Sequence, residues 1–158
     1  MKNKKVLDLG YGEGEFVKGL IEKGTTQEAY GVDEGSREVE ADNAAEGHFF
    51  QGDFEKPLPV HDVDYVVSVG AVSLGISGTE KIMNIEAILE NALAALKEKG
   101  EIRIYPIQEP AIANFYAHLD ESRKTWEETV HEFAKSHGAE YSFVPRDILV
   151  TGYKNDVF

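Results

Sequence analysis

The sequence has 158 residues and no cysteine, which excludes disulfides, thiolate zinc sites and cysteine nucleophiles. Basic residues are also scarce: the 16 Lys and Arg are outnumbered by 29 Asp and Glu, which gives a formal charge of -13. Such a charge repels a phosphate backbone at long range, so we expect no nucleic acid partner.

Long apolar runs are missing as well. The longest, residues 63–76, is interrupted by Asp64 and by serines and glycines, whereas a membrane span needs about 20 mostly apolar residues. The basic start, residues 1–5, leads into an apolar stretch that Asp8 cuts at once, which is too short for the core of a signal peptide. We therefore expect no membrane association and a cytoplasmic location.

The remaining composition is that of an ordinary globular protein. Apolar residues make up 42% and charged residues 28%, which argues against disorder and against a coiled coil. No repeat, low-complexity tract or linker divides the chain. The sequence predicts one domain over residues 1–158.

Strand and helix patterns alternate along the chain. A short strand over residues 5–9 ends in a glycine cluster, Gly10 to Gly14, and a helical pattern follows as far as Gly24. Further helices are predicted over residues 37–45 and from Thr79 to the Lys97–Gly100 segment, with Gly100 as residue C′. The next four strands are predicted over residues 28–32, 48–51, 64–69 and 101–105. The prolines of residues 52–62 predict a loop there.

The last third of the chain has a different pattern. Residues 111–119 and 122–137 are predicted as two helices with a break near Asp120, and strands over 141–144 and 148–151 form a hairpin. Together these elements predict an α/β fold: an open, doubly wound, mostly parallel sheet of seven strands with an antiparallel C-terminal hairpin strand.

The loops at the carboxyl ends of the strands are where such a sheet binds ligands. Gly10 and Gly12 let the backbone approach a ligand with no Cβ in the way. Asp33 lies 19 residues after Gly14, at the end of the second predicted strand. An acid at that place can hold the hydroxyls of a ribose.

The spacing of the glycines discriminates between nucleotide ligands. A dinucleotide site has the pattern GxGxxG, whereas this loop is GxGxG and has Glu15 where the third glycine would fall. Glu13 and Glu15 oppose a pyrophosphate but suit a ligand with an amino group and a cationic centre. A nicotinamide dinucleotide enzyme is therefore the weaker alternative.

Four motifs in this order resemble those of the class I S-adenosylmethionine-dependent methyltransferases. Residues 6–14 are similar to the first motif of the family and residues 31–33 to its second-strand acid. Residues 52–54 are similar to the adenine-side motif, and residues 64–68 to the fourth-strand motif. The resemblance covers essentially the whole chain and implies S-adenosylmethionine as the cofactor.

The resemblance also implies a role for individual residues at the cofactor. The backbone of Gly10, Tyr11 and Gly12 would run along the methionine moiety, and Asp8 would help to fix its amino group. Tyr11 replaces a commoner small residue or cysteine. Because the contact there is mainly through the backbone, no role is expected for its side chain.

The other implied contacts concern the nucleoside and the methyl group. Asp33 would hold the ribose hydroxyls, with Glu34 beside the adenine. Asp53 would accept a hydrogen bond from the adenine amino group, and Phe54 would donate its amide to the ring. Ser68 would border the mouth through which the methyl group is transferred.

Two departures from the family concern the acceptor. Only four residues precede the first strand, so we expect no N-terminal lid helices, and no Asn-Pro-Pro-Tyr motif follows the fourth strand. The predicted function is methyl transfer to a small-molecule or other modest-sized acceptor. The alternative is a non-catalytic homologue that holds the cofactor, or only keeps the fold, and acts through a partner or as a homodimer.

No catalytic residue is assigned. Tyr105, Glu109, Tyr116 and His118 end or follow the fifth strand on the appropriate side, but exposed or packing roles are the ordinary interpretation of such residues. The histidines of the segment 131–137 lie six residues apart, whereas an HExxH metal site needs four. We therefore expect no metal.

Overall fold

A computed structural model describes residues 2–35, 47–72, 83–105, 116–144 and 147–151. The helix predicted over residues 37–45 lies outside this part of the chain. The strands are β1 (Val6–Leu9), β2 (Ala29–Asp33), β3 (Phe49–Gln51), β4 (Val63–Val69), β5 (Leu96–Tyr105), β6 (Glu140–Val144) and β7 (Asp147–Thr151). The helices are α1 (Glu15–Glu22), α2 (Ile85–Ala95) and α3 (Tyr116–His137).

The strands form one sheet in the order β3-β2-β1-β4-β5-β7-β6. The first five strands of this order are parallel to one another, and β7 pairs antiparallel with both β5 and β6. The predicted α/β architecture with a parallel sheet is thereby confirmed. The strand order reverses beside β1, so the carboxyl ends of β1, β2 and β4 meet where a ligand site is expected.

Both faces of β1 are covered, because all four of its residues are buried. On one face, Val17 and Ile21 of α1 pack with Ala29 of β2. On the other face, Leu7 and Leu9 belong to the main core, to which α2 and α3 also contribute. Since successive side chains of a strand alternate between faces, Asp8 lies on the face that carries α1.

The loop between β1 and α1 gives the helix its start. Gly14 is the N-cap residue and has a left-handed φ of 78°, a conformation that glycine adopts without strain. Glu15 follows in the first turn, where a carboxylate is favourable near the positive end of the helix. The sequence of strand, glycine loop and helix was predictable because each of these signals is local.

The predicted end of the helix from Thr79, which corresponds to α2, is wrong. α2 ends at Ala95, and Leu96 already pairs with Val63 of β4. Pairing resumes at Glu101 after a register shift, and in this segment Lys99, not Gly100, has a left-handed φ, of 63°. A Cβ on Gly100 would lie 2.8 Å from Leu96 Cδ2, so this glycine serves close packing instead of capping the helix. The predicted start, Thr79, lies outside the described residues.

The predicted helix break near Asp120 is also wrong. α3 runs without interruption from Tyr116 to His137. The segment contains neither glycine nor proline, and a single Asp lowers helix propensity only modestly. Val130, Phe133 and Ala134 are buried at helical spacing, so packing of this face fixes the second half of the helix.

Asp64 joins the amino ends of three strands. Its Oδ2 accepts hydrogen bonds from the Lys5 N–H at 2.9 Å and from Lys97 Nζ at 3.0 Å, and its Oδ1 accepts from Lys4 Nζ at 3.0 Å. Burial alone would raise the pKa of Asp64, but these hydrogen bonds outweigh it and lower the pKa to about 2.

The connection between β3 and β4 contains no helix. Residues 52–62, all of which the structure describes, form turns and bends, as the prolines predicted. Among the helices in the described parts of the chain, none has the length and apolar character needed to cross a bilayer.

Candidate functional site

The glycine loop after β1 has one packed side and one open side. A Cβ on Gly10 would lie 2.0 Å from Ala71 Cβ, so at this point the loop rests directly on the residues that follow β4. Around a Cβ on Gly12, by contrast, there is nothing within 4 Å. Both glycines have left-handed φ values, 84° and 55°. The open side of the loop therefore presents bare backbone to a ligand.

Asp33, at the end of β2, is oriented by two backbone donors. Its Oδ2 accepts a hydrogen bond from the Gly12 N–H at 3.1 Å, and its Oδ1 accepts one from the Gly35 N–H at 2.9 Å. A carboxylate can accept about four hydrogen bonds. Each oxygen of Asp33 thus retains capacity for one further donor, which suits two neighbouring hydroxyls.

Asp8 lies beneath this loop and is only 3% exposed. In β1 it is in register with Gly31 of β2 on one side and with Val67 of β4 on the other. Its Oδ1 is buried and has no hydrogen-bond partner among the described residues. Burial, and secondarily the charge of Asp33, raise the pKa of Asp8 to about 7. The site therefore contains a buried carboxyl group that would gain from a cationic donor.

Tyr11 is also buried, although it stands in a loop. Its ring centroid lies 4.9 Å from that of Phe49, and its Cβ lies 2.7 Å from the position that a Cβ on Gly31 would take. Burial, and then the charge of Asp33, raise the pKa of Tyr11 above its usual range. The side chain to which the sequence assigned no role is thus packed into the site.

A shallow depression of about 260 Å³ lies at the ends of β2 and β3. It is lined by Glu34, Gln51, Gly52 and Asp53. The Oδ1 of Asp53 accepts a hydrogen bond from the Glu55 N–H at 2.9 Å, and its Oδ2 lies 3.7 Å from Lys56 Nζ. The structure thereby brings Glu34 and Asp53 together beside Asp33, as their positions after adjacent strands predicted.

Phe54 is buried and is held from two sides. Its carbonyl accepts a hydrogen bond from Asn91 Nδ2 of α2 at 3.0 Å, and its ring lies below the glycine loop, 3.8 Å from the position of a Gly10 Cβ. The contribution of Asn91 was not foreseen, since nothing in the sequence links it to a residue 37 positions away.

Ser68 is 1% exposed and its hydroxyl is engaged within the protein. The Oγ donates a hydrogen bond to the Leu9 carbonyl and accepts one from the Val72 N–H, both at 3.1 Å. These bonds tie the end of β4 to β1. The expected place of Ser68 beside a methyl group remains a prediction, and the structure gives its hydroxyl a structural task.

Of the four candidate bases, Tyr105 has a described side chain. Tyr105, at the end of β5, is 46% exposed, and its carbonyl accepts the Gly70 N–H at 2.7 Å. Glu109 lies outside the described residues, and of Tyr116 and His118 the structure describes only their place in the first turn of α3.

His131 and His137 of α3 each have a partner within the protein. His131 Nδ1 lies 2.9 Å from the Tyr141 hydroxyl, and His137 Nδ1 lies 2.9 Å from the Phe133 carbonyl. In the described ranges, no three side chains of metal-binding type come together.

The chain matches a known protein family over most of its length. A family model described as a methyltransferase domain matches residues 1–146. No curated relative matches the chain.

Solved structures of several methyltransferases share the fold. An S-adenosylmethionine-dependent methyltransferase of Thermotoga maritima is 15% identical with a TM-score of 0.61, over 98% of this chain and 84% of its own. A Haloferax volcanii protein in complex with the Trm112 methyltransferase activator is 17% identical with a TM-score of 0.64, over 96% and 83%. The magnesium protoporphyrin IX methyltransferase of Synechocystis, with bound S-adenosylhomocysteine, is 12% identical with a TM-score of 0.61, over 96% and 75%.

Proposed function

The chain belongs to the class I S-adenosylmethionine-dependent methyltransferases, and on that premise we propose that it transfers a methyl group to a small-molecule or other modest-sized acceptor. The observation that carries the proposal is the buried Asp8 carboxyl, whose Oδ1 has no partner in the described part of the chain. A buried carboxylate is stable when a cation pairs with it, and the methionine part of the cofactor ends in an ammonium group.

The ribose is the second group that the residues fit. The two backbone N–H groups that orient Asp33 leave one acceptor position on each carboxylate oxygen. The vicinal hydroxyls of a ribose would take both positions. The adjacent depression, which Glu34 and Asp53 line, would then receive the adenine.

The methionine backbone would lie along the open side of the glycine loop. Gly12 has space on that side, and its left-handed φ would be strained in any residue with a Cβ. The carboxylates of Glu13 and Glu15 are exposed beside the loop and favour a ligand that carries positive charge. A pyrophosphate would meet repulsion at the same place.

When bound, S-adenosylmethionine would supply an activated methyl group, which passes in line to the acceptor atom as its bond to sulfur breaks and S-adenosylhomocysteine leaves. The residues of this chain would hold the sugar, the amino group and the methionine backbone in place for the transfer. Whether a proton must be removed depends on the acceptor, and no base is assigned. Tyr105, at the end of the neighbouring strand β5, is exposed.

A second candidate function is that of a subunit that binds the cofactor and works with a partner chain or as a homodimer. Val69 is 50% exposed, and in the sheet it is in register with Tyr105 at the ends of β4 and β5, beside the proposed site. Large apolar side chains exposed together are typical of a contact surface. The Haloferax volcanii protein of the same fold is itself bound to an activator protein.

Calorimetric titration with S-adenosylhomocysteine tests the cofactor, with NAD⁺ titrated in parallel. Binding of the first compound alone supports the proposal, and binding of NAD⁺ alone would refute it. Turnover of S-adenosylmethionine labelled in its methyl group is then measured against a panel of small amines, alcohols and carboxylic acids. Saturable binding together with no turnover of any acceptor would favour the partner-dependent subunit.

A further inference from the structure

Tyr11 is the one aromatic residue in the Gly10–Gly14 loop, and the structure places its side chain where the loop meets the sheet. The glycines on either side contribute no side chain, and each has a positive φ, a region that glycine populates about as readily as negative φ. A loop of this composition would be mobile unless something fixes it, because glycine has the greatest conformational freedom to lose.

The contact with β2 is unusually close. The Cβ, Cδ1 and Cγ atoms of Tyr11 would lie 2.7, 2.8 and 3.0 Å from a Cβ placed on Gly31. Glycine inside a strand lowers strand stability and commonly marks a site where another group approaches the backbone. The lack of a side chain at Gly31 therefore leaves the space that the Tyr11 side chain occupies.

The same ring also reaches β3. Its centroid lies 4.9 Å from that of Phe49, and the ring planes are inclined by 58°. A tilted pair at this distance is a favourable aromatic arrangement. Since Phe49 is in register with Gly31, the two contacts lie side by side on the sheet.

The loop on which Tyr11 stands is also tied to the end of β2 by its backbone. The Gly10 N–H donates a hydrogen bond to the Val32 carbonyl at 2.7 Å, and the Gly12 N–H donates to Asp33. Tyr11 lies between the two donors, Gly10 and Gly12, in the chain. The side chain of Tyr11 therefore adds a contact to the sheet at the part of the loop that these two bonds also hold.

We propose that Tyr11 is a positioning residue of the cofactor site, whose ring clamps the glycine loop against β2 and β3 and holds the backbone ready to receive the methionine moiety. The inference rests on the proposed function. It extends that function, because the backbone contact attributed to Tyr11 depends on where its side chain packs. Preorganisation of this kind raises affinity by lowering the ordering cost of binding.

Substitutions on both sides of the contact test the inference by calorimetric titration with S-adenosylhomocysteine. Tyr11→Ala removes the ring, and we expect the dissociation constant to rise about tenfold, the factor that a modest ordering cost produces. Tyr11→Phe keeps the ring and should bind within about twofold of the wild type. Gly31→Ala pushes Tyr11 off the strand and should weaken binding as Tyr11→Ala does.

Gly19→Ala is the matched control for the glycine substitution. Gly19 lies inside α1, and a Cβ there has nothing within 4 Å beyond its own helix. This variant should bind as the wild type does and gain slightly in stability. Urea unfolding of every variant identifies the folded fraction, so that a weakened titration is interpreted only for folded protein.

Amide NMR spectra of the ligand-free variants give an independent readout. In the wild type and in Tyr11→Phe, the amide signals of Gly10, Gly12 and Gly14 should be dispersed and sharp, and in Tyr11→Ala they should broaden or collapse toward random-coil positions. Wild-type affinity together with unchanged glycine signals in folded Tyr11→Ala would overturn the inference. A wild type that fails to bind S-adenosylhomocysteine would refute the proposed function instead, and the glycine signals would still decide whether Tyr11 orders the loop.

Discussion

The carboxylate of Asp33 accepts a hydrogen bond from the backbone N–H of Gly12 at 3.1 Å. The acid that is proposed to hold the sugar therefore also holds the loop that is proposed to hold the methionine moiety. Replacement of Asp33 by Ala removes both effects together. We expect cofactor binding to weaken by about 1–3 kcal/mol, the range for hydrogen bonds to a charged acceptor.

Titration of Asp33→Ala with S-adenosylhomocysteine measures this loss, and circular dichroism checks that the domain stays folded. Asp33→Asn is the informative companion, because the amide retains one oxygen acceptor and should have an intermediate affinity. Unchanged binding by folded Asp33→Ala would contradict the assignment of this residue.

Substitution of Gly12 by Val should abolish cofactor binding. A side chain at this position enters the open space on the ligand side of the loop, and the φ of 55° adds strain. Gly24→Val is the matched control, since Gly24 has a φ of 62° and an equally open Cβ position but lies after α1. Both variants should lose similar stability, whereas only Gly12→Val should lose affinity. Equal affinities for the two variants would place the ligand elsewhere.

Ser68→Ala separates a structural role from a ligand contact. Because the buried hydroxyl bonds both to the Leu9 carbonyl and to the Val72 N–H, its removal leaves one buried acceptor and one buried donor without a partner. We expect the free energy of unfolding to fall by about 1–3 kcal/mol. The affinity of the folded fraction for S-adenosylhomocysteine should stay the same. A loss of affinity at unchanged stability would instead show that the hydroxyl faces the ligand.

Asp8 should make stability depend on pH in the neutral range. Its pKa is raised from 3.8 to about 7, so the folded protein retains the proton at pH values where the unfolded chain has lost it. Stability should therefore fall as the pH rises from about 4 to about 7, by up to about 1.4 kcal/mol per pH unit, and should level off above that range. Asp8→Asn, which stays neutral, should lack this dependence.

Urea unfolding of wild type and Asp8→Asn at pH 5, 6, 7 and 8 measures the difference between the two slopes. Asp64→Asn is the control, because the pKa of Asp64 is lowered to about 2 and its contribution is lost only below about pH 4. The Asp64 variant should retain the wild-type slope between pH 5 and 7. Parallel curves for wild type and Asp8→Asn would show that Asp8 is ionised throughout.

The sequence was sufficient wherever the signal was local. Gly10, Gly12 and Gly14 predicted the loop between β1 and α1, and Asp33 could be placed at the end of β2 because a short buried strand precedes it. Gly100 misled because glycine near a helix end is commonly a cap, whereas here its small size serves packing against Leu96. Asp120 misled because a polar run without glycine or proline does not interrupt a helix.

The parts of the site that the sequence could not predict depend on tertiary contacts. The Tyr11 side chain acquires its surroundings from Gly31 and Phe49, which are distant in the chain. Asn91 reaches Phe54 only after α2 has packed on the sheet. Likewise, the internal bonds of Ser68 require β1 and β4 to be paired. One sign of the Tyr11 contact was available, namely a glycine inside a strand pattern.

The contact between Tyr11 and Gly31 has an evolutionary consequence. Since the ring occupies the volume that a side chain at position 31 would need, neither position can change freely while the other stays as it is. Homologous proteins that carry alanine or a larger residue at the position of Gly31 should carry a small residue at the position of Tyr11. The two sites should therefore co-vary in an alignment of this family, although twenty positions separate them in the chain.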